Sequence, residues 1–231
     1  MENSEEKKQL DLDATLIETS HKVESFYENN KKAIQYGALM IVLAIGAYMG
    51  FKSFYLEPKE KEAQAAMFQA QAWFEKDSFD LALNGQGDIE GFNSIAETYG
   101  LTKAGNLAHY YAGVCNMRKG DFAAAIDHLG DFSTDDELVG PLATGLLGDA
   151  YAESGDVEKA ASQYMKAANQ SKNKLTAPIF LKKAGIAFED LKNFGKAADA
   201  YEKIKKEYSE SQEAGDIDKY IARAKAMESA N

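Results

Sequence analysis

The sequence predicts an all-α chain: a single N-terminal transmembrane helix, then an α-solenoid of helical hairpins that ends in a C-terminal capping helix. Three observations predict this fold class: one long uncharged run, a spaced recurrence of small and bulky residues, and only 3 prolines in 231 residues. Apolar residues make up 45% and charged residues 27%, which excludes wholesale disorder and a polytopic membrane protein. We expect an acidic tail over residues 1–32, an anchor over 33–56 and a helical-repeat domain over 57–231.

The uncharged run over residues 33–51 is the strongest local signal. It is about as long as a helix must be to cross the hydrocarbon core of a bilayer. Lys31 and Lys32 precede it and Lys52 follows it. A buried core helix of this length would show a polar stripe, and a signal peptide rarely has so long a segment ahead of its apolar region. We therefore expect a retained span, with Pro58 ending the helix.

Small residues within this run are spaced four apart, as Ala33 with Gly37 and Gly46 with Gly50. Small side chains allow two membrane helices to approach closely, so these pairs predict packing on a partner helix or on a second copy. Glycine is also common in membrane helices, and chance spacing is the open alternative.

The tail before the run is acidic, with apolar residues at three- and four-residue steps that include Val23 and Phe26. This spacing favours a short amphipathic helix, with Asn29 and Asn30 as a break before the span. A loosely ordered, solvated tail is the equal alternative, because surface-binding helices are usually basic.

A repeated pattern follows the run. Gly113, Gly148 and Gly185 lie 35 and 37 residues apart, close to the period of a helix-turn-helix repeat. The same residue types recur around each glycine, which predicts a small residue wherever two helices cross and a bulky residue beside it. The small residues are Ala125, Ala160 and Ala197, and the bulky residues are Phe122, Val157, Phe194, Tyr164 and Tyr201.

These positions resemble the tetratricopeptide repeat over about residues 60–228. An earlier unit with Ala70, Trp73 and Phe79 fits the same scheme, but the stretch from Gly85 to Gly91 displaces its second helix. The apolar residues from Ile217 onward predict the capping helix that a solenoid needs on its last open face.

A narrower resemblance joins the two halves of the chain. The acidic tail, the stretch VESFYENNKK over residues 23–32, one span ending in Gly50-Phe51-Lys52 and a helical-repeat domain are together similar to the YfgM-like ancillary subunits of the Sec translocon. That resemblance implies an anchor in the bacterial inner membrane, a cytoplasmic N-terminus and a periplasmic repeat domain. It implies three partners: Sec translocon subunits, a membrane-anchored peptidyl-prolyl isomerase and exported polypeptides.

We predict no catalytic residue, no cofactor and no metal ligand. The chain has 3 histidines and 1 cysteine, without the spacing of a metal site, and His128 beside Asp127 and Asp131 is more typical of a solvated helix face. The pair Gly85 and Gly87 lacks the strand and the lysine of a phosphate loop. A net charge of -11 argues against a nucleic-acid partner.

Binding of a protein partner is therefore the predicted function, through the concave face that stacked hairpins form with their first helices. Adaptable methionines on such a face suit a flexible polypeptide or a partner helix, whereas a clamp for a C-terminal carboxylate would need lysine and asparagine there. The open alternative is that these side chains are core. Counting from the aligned glycines gives the predicted lining as Met67, Gln71, Phe74, Leu107, Tyr110, Val114, Met117, Asp149, Ala152, Lys182, Ile186 and Glu189.

A second function from a different class stays open, namely a structural scaffold of another membrane complex with its repeats in the cytoplasm. Orientation separates the two functions. Lysines within reach of the span are nearly balanced on its two sides, so the positive-inside rule does not decide between them.

Overall fold

The computed structural model describes the backbone of residues 2–170 and 173–230, and the side chains from residue 27 onward within those ranges. Every regular element of these residues is a helix. The chain divides into two compact units, Met1–Glu57 and Pro58–Asn231. The helices are α1 Glu2–Phe51, a π-helical turn Lys52–Leu56, α2 Glu57–Phe74, α3 Phe79–Asn84, α4 Phe92–Tyr99, α5 Lys103–Lys119, α6 Phe122–Asp131, α7 Val139–Glu153, α8 Val157–Gln170, α9 Ala177–Asp190, α10 Phe194–Glu207, a 3₁₀ turn Gln212–Asp216 and α11 Ile217–Ala230.

Helix α1 runs without interruption through Asn29 and Asn30. The predicted break there is wrong, because two asparagines cost a helix only about 0.7 kcal/mol each and their neighbours propagate it. The apolar side chains of the predicted tail helix that precede residue 27 lie outside the described side chains. One described helical stretch, Tyr27–Phe74, is long and apolar enough to cross a membrane. None of its most apolar 18-residue segment is buried within the protein. This evidence for a span consists of length and composition only.

Pro58 lies in the first turn of α2, so the prediction that it ends the helix is also wrong. The π-helical turn precedes it, and in that turn the N–H of Glu57 donates to the carbonyl of Lys52. In a regular α-helix a proline ring clashes with the carbonyl four residues earlier, whereas a wider turn relieves that contact. A proline in the first turn has no hydrogen bond to lose. The backbone therefore changes its winding and continues.

Three helical hairpins make up most of the second unit: α5 with α6, α7 with α8, and α9 with α10. In each, a glycine of the first helix lies against a large side chain sixteen residues later in the chain. The approach is so close that a Cβ at the glycine position would collide with that side chain. The pairs are Gly113 with Leu129, Gly148 with Tyr164 and Gly185 with Tyr201. Ala125, Ala160 and Ala197 of the second helices are fully buried.

The hairpins share one turn, in which a residue with positive φ precedes the second helix. These residues are Asp77 (φ 54), Gly120 (φ 78), Gly155 (φ 88) and Lys192 (φ 56). After Gly120 and Lys192 the next residue caps the helix: the Asp121 carboxylate accepts from the N–H of Ala124, and the Asn193 side chain accepts from the N–H of Lys196. Such caps occupy N–H groups that the first helical turn leaves unpaired.

A further hairpin, α2 with α3, precedes these three; we call it the first hairpin, and it departs from their pattern after its turn at Asp77. Its second helix, α3, has 6 residues and is followed by a tight loop in which Gln86 and Ile89 exchange backbone hydrogen bonds. Gly85 has φ 75, and a Cβ there would collide with backbone atoms of the same loop. Aromatic rings close this part of the core, with Phe74 centroids 5.9 Å from Phe79 and 5.2 Å from Tyr111.

Helix α11 packs against α10 at the C-terminal end of the solenoid. Ile217 and Ala224 are buried there, and the Tyr220 ring lies 5.4 Å from the Tyr201 ring. The face of α11 that looks inward is thus the apolar one.

We expect Gly185→Ala to destabilise the chain by about 1–3 kcal/mol, because the added methyl overpacks the Tyr201 ring. The matched control is Gly130→Ala in α6, where a Cβ has nothing within 4 Å and replacing a helical glycine is neutral or stabilising by up to about 1 kcal/mol. Thermal unfolding followed by circular dichroism measures both. Equal melting temperatures for the two variants would contradict the glycine crossing.

Candidate partner-binding surface

The predicted lining residues of α5 are all half-buried. Leu107 and Met117 pack at the edges of two core clusters, and Val114 is half-buried between them along the helix. The Tyr110 ring lies 5.3 Å from the Phe132 ring, and burial raises the pKa of its phenol. Tyr110 is therefore partly exposed, and the contact with Phe132 holds its ring in place.

In α7, Asp149 is held by two partners from two neighbouring helices. The Tyr164 hydroxyl donates to Asp149 Oδ1 at 2.7 Å, and Lys183 Nζ lies 2.7 and 2.8 Å from its two oxygens. Burial, followed by the bond to Asp149, raises the pKa of Tyr164 far above its ordinary value, so the hydroxyl stays a donor. Asp149 thus joins α7 to α8 and α9, while Ala152 on the same helix is exposed.

The polar predictions on α9 are paired in the same way. Lys182 Nζ lies 2.9 Å from Asp216 Oδ1 and 4.6 Å from the Tyr220 ring centroid. The Arg223 guanidinium Nε donates to Glu189 at 3.1 Å. Ile186, by contrast, is 42% exposed.

The first hairpin contributes least to an open face. Met67 is only 3% exposed and belongs to the core. Gln71 and Phe74 are half-buried, and Phe74 sits in the aromatic cluster described above. Met67 is therefore unavailable to a partner in this structure.

Two exposed residues of this face escaped the sequence analysis. Leu142 is 46% exposed and Ile179 is 38% exposed. Each lies six residues before its aligned glycine, as Leu107 does in the earlier hairpin. The repeat alignment carried this signal, and applying the Leu107 offset to every hairpin would have found both.

The charged side chains of this face neutralise one another across successive hairpins. Asp149 with Lys183, Lys182 with Asp216 and Glu189 with Arg223 each pair residues that are 34 positions apart. Beside these pairs, apolar side chains remain exposed to a partner. We define the first-helix surface as Leu142, Ala152, Ile179 and Ile186, with Tyr110 at one end.

Helices α7 and α9 are neighbours, because the Phe180 ring of α9 occupies the space that a side chain at Gly145 of α7 would need. Leu142 and Ile179 take equivalent positions on these two helices. Ile186 lies seven residues, or about two turns, beyond Ile179 and therefore on the same side of α9. The exposed apolar residues thus follow one side of the stack.

The predicted membrane-packing residues all lie on α1. Ala33, Gly37 and Gly46 are exposed and Gly50 is half-exposed, and a Cβ at any of the three glycines would have nothing within 4 Å. Gly37 and Gly46 are separated by nine residues, about two and a half turns. The two pairs therefore occupy opposite sides of the helix, and a single two-helix contact uses only one of them.

Two further groups have chemistry of interest. Cys115 is buried, and burial raises the pKa of its thiol to about 12, so the nucleophilic thiolate is scarce at neutral pH. His109 and His128 contact each other across the α5–α6 hairpin. Over the described side chains, no group of three or more histidine, cysteine and acidic residues is placed to hold a metal ion.

Comparison with known proteins finds similarity to one repeat family and to one solved structure. Residues 181–211 match the family described as Tetratricopeptide repeat. This match supports the prediction that the chain contains tetratricopeptide repeats. A crystal structure of a Podosopora anserina kinesin light chain protein with nearly identical TPR-like repeats superposes with a TM-score of 0.52, at 12% identity, covering 74% of this chain and 88% of that one. At that identity the likeness shows the fold alone. No curated protein matches the chain in sequence.

Tetratricopeptide repeats indicate a protein–protein interaction module, and the fold is typically a non-enzymatic scaffold. Neither comparison provides evidence for membership of the Sec-associated family or for a membrane anchor.

We expect Asp149→Ala to lower the melting temperature by several degrees, because Tyr164 and Lys183 lose their shared acceptor at a cost of about 1–3 kcal/mol, or about 2–4 °C for each kcal/mol. The matched control is Glu210→Ala, which removes an exposed pair with Lys174 at 3.4 Å, worth about 0–1 kcal/mol. If the two variants melt together, Asp149 is free for a partner and is not structural.

Proposed function

We propose that this protein is a non-enzymatic adaptor of the bacterial inner membrane, with α1 as its single span and the tetratricopeptide repeats in the periplasm. There it works at the exit of the Sec translocon, binding a membrane-anchored peptidyl-prolyl isomerase or exported polypeptides. One observation carries the binding role: apolar side chains stay exposed on the first helices of successive hairpins while the charges beside them are paired. The resemblance of the sequence to YfgM-like subunits supports the choice of partners.

The chemistry of the first-helix surface favours an apolar ligand. Leu142, Ile179 and Ile186 offer exposed aliphatic area, which an amphipathic helix or an unfolded segment covers with its own apolar side chains. A carboxylate clamp would need unpaired cations. Three cations beside this surface, Lys182, Lys183 and Arg223, are bound to Asp216, Asp149 and Glu189.

A membrane anchor makes a weak surface sufficient. Tethering beside a partner turns binding into an intramolecular step, with effective concentrations of about 1 mM for short flexible linkers. A Kd near 1 mM corresponds to about 4 kcal/mol, which a few aliphatic contacts supply. Low affinity also allows a client to leave quickly.

Membrane topology is tested with single cysteines at two exposed positions, Ser209→Cys in the repeat unit and Asn29→Cys before the uncharged run. We expect a membrane-impermeant maleimide to label Ser209→Cys in intact spheroplasts and Asn29→Cys only after lysis. The wild-type chain is the control, because Cys115 is buried with a pKa of about 12 and does not react while folded. The reverse labelling pattern favours the cytoplasmic scaffold, and release of the chain by alkaline carbonate refutes the anchor.

The binding role is tested with a photo-crosslinking amino acid placed at Leu142 or at Ile186, with Ser162 as the matched control. Ser162 is exposed on α8, the second helix of the same hairpin as Leu142. We expect crosslinks to the isomerase, or to a stalled exported chain, from the two first-helix positions and not from Ser162. Ile179→Ser should then lower the yield from Leu142 by about tenfold, the effect of losing about 1.4 kcal/mol. Equal yields from all three positions would count against the surface.

A further inference from the structure

Two of the three histidines in the chain meet at the α5–α6 hairpin. His109 Nδ1 and His128 Nδ1 are 3.3 Å apart, the ring centroids are 5.4 Å apart, and both side chains are half-buried. A hydrogen bond between two Nδ1 atoms holds one proton: one ring donates and the other accepts. When both rings are protonated, each Nδ1 carries a hydrogen. Two N–H groups then face each other, no acceptor remains, and the hydrogen bond is lost.

The surroundings of the pair oppose that second proton. Burial and the neighbouring His109 lower the pKa of His128, and the carboxylates of Asp131 and Asp127 on the same helix offset only part of this. The helices packed against the hairpin are α2, α3, α4 and α7. Their acidic residues are Glu57, Glu60, Glu62, Asp80, Glu97, Asp149 and Glu153, and their basic residues are Lys59 and Lys61; none of these is among the groups that shift the pKa of His128. Asp149 is in any case held by Tyr164 and Lys183.

The pair is connected to the first-helix surface by two short links. The carbonyl of His128 accepts the backbone N–H of Phe132 at 3.2 Å, the bond that closes the end of α6. The Phe132 ring packs on Tyr110, which follows His109 in the chain, with centroids 5.3 Å apart. A movement of the His128 backbone is therefore transmitted to Phe132 through this hydrogen bond, and from Phe132 to Tyr110 through the ring contact.

We propose that the His109–His128 pair is an acid-sensitive latch: double protonation loosens α6 from α5 and disorders the Tyr110 end of the first-helix surface. As control of partner binding this rests on the function proposed above, whereas the loosening itself does not. With no third ligand beside the two histidines among the described side chains, a proton rather than a metal ion is the ligand.

The direction of the pH dependence follows from linkage. The folded-state pKa of His128 is lowered relative to the unfolded chain, so the stabilisation is fully present above about pH 6.5, the ordinary histidine pKa. It is lost as the pH falls through the folded-state value. Acid therefore opens the latch, and neutral pH closes it.

The first test is an NMR titration of the full chain in detergent micelles with EDTA present. With only 3 histidines, each ring Cε1–H gives a separate signal, which single substitutions assign. We expect the His128 midpoint to lie below about 6.5 and to rise in His109→Gln, where the neighbouring charge is gone. A wild-type His128 midpoint at or above that value overturns the proposal.

The second test compares hydrogen exchange of α6 with that of α8, the corresponding helix of a hairpin that contains no histidine. Between pH 7.5 and pH 5, after correction for intrinsic exchange, we expect α6 to lose up to about tenfold in protection for each unit by which the pKa is lowered. In His109→Gln, we expect α6 and α8 to lose protection to the same extent between the two pH values. An unchanged α6 in the wild type, or the same loss in the variant, overturns the latch.

The two proposals fail separately. If α6 responds to acid but Leu142 gives no crosslinks at either pH, the latch stands and the adaptor function fails. If crosslinks form and their yield from a photo-crosslinker at Tyr110 is the same at pH 5 and pH 7.5, the adaptor stands and the latch fails as a control of binding.

Discussion

The structure depends on one steric constraint, which is that a glycine of each first helix receives a large side chain of the second. At Gly185 the Tyr201 ring occupies the space that a Cβ would take. This contact sets the distance and the relative rotation of the two helices. Stacking of one hairpin on the next follows from it, because Lys183 meets Asp149 only when α9 lies at a fixed offset from α7. A change at the crossing is therefore felt between hairpins as well as within one.

The same geometry divides the first-helix residues into two groups. Some charged residues find partners 34 positions away, as Glu189 does in Arg223. Several aliphatic residues of the same helices stay exposed, as Ile186 does. Partial exposure of such side chains costs some hydrophobic stabilisation, about 25 cal/mol for each Å² left in water. A partner that covers them recovers it.

Sequence alone predicted the all-helical repeat architecture, because a close crossing requires a small residue and leaves a visible period at Gly113, Gly148 and Gly185. It failed where the outcome depends on contacts between distant residues. Met67 is buried among residues of α3, α4 and α5, and the use of Asp149 by Tyr164 and Lys183 depends on two other helices. The turn at Lys192 gives no signal, since lysine rarely adopts a positive φ.

Histidines 109 and 128 show why a hairpin can be sensitive at one position and insensitive at the next. In the α9–α10 hairpin, the tyrosine at the crossing is buried and its pKa is raised, so it stays neutral at any pH that the folded chain encounters. The α5–α6 hairpin has Leu129 at that crossing and the histidine contact beside it. Imidazole is the side chain whose ordinary pKa lies between 5 and 8. The hairpin that holds the histidine contact also positions Tyr110, so a proton there acts on the ring at one end of the first-helix surface and leaves the Tyr164 and Tyr201 crossings unchanged.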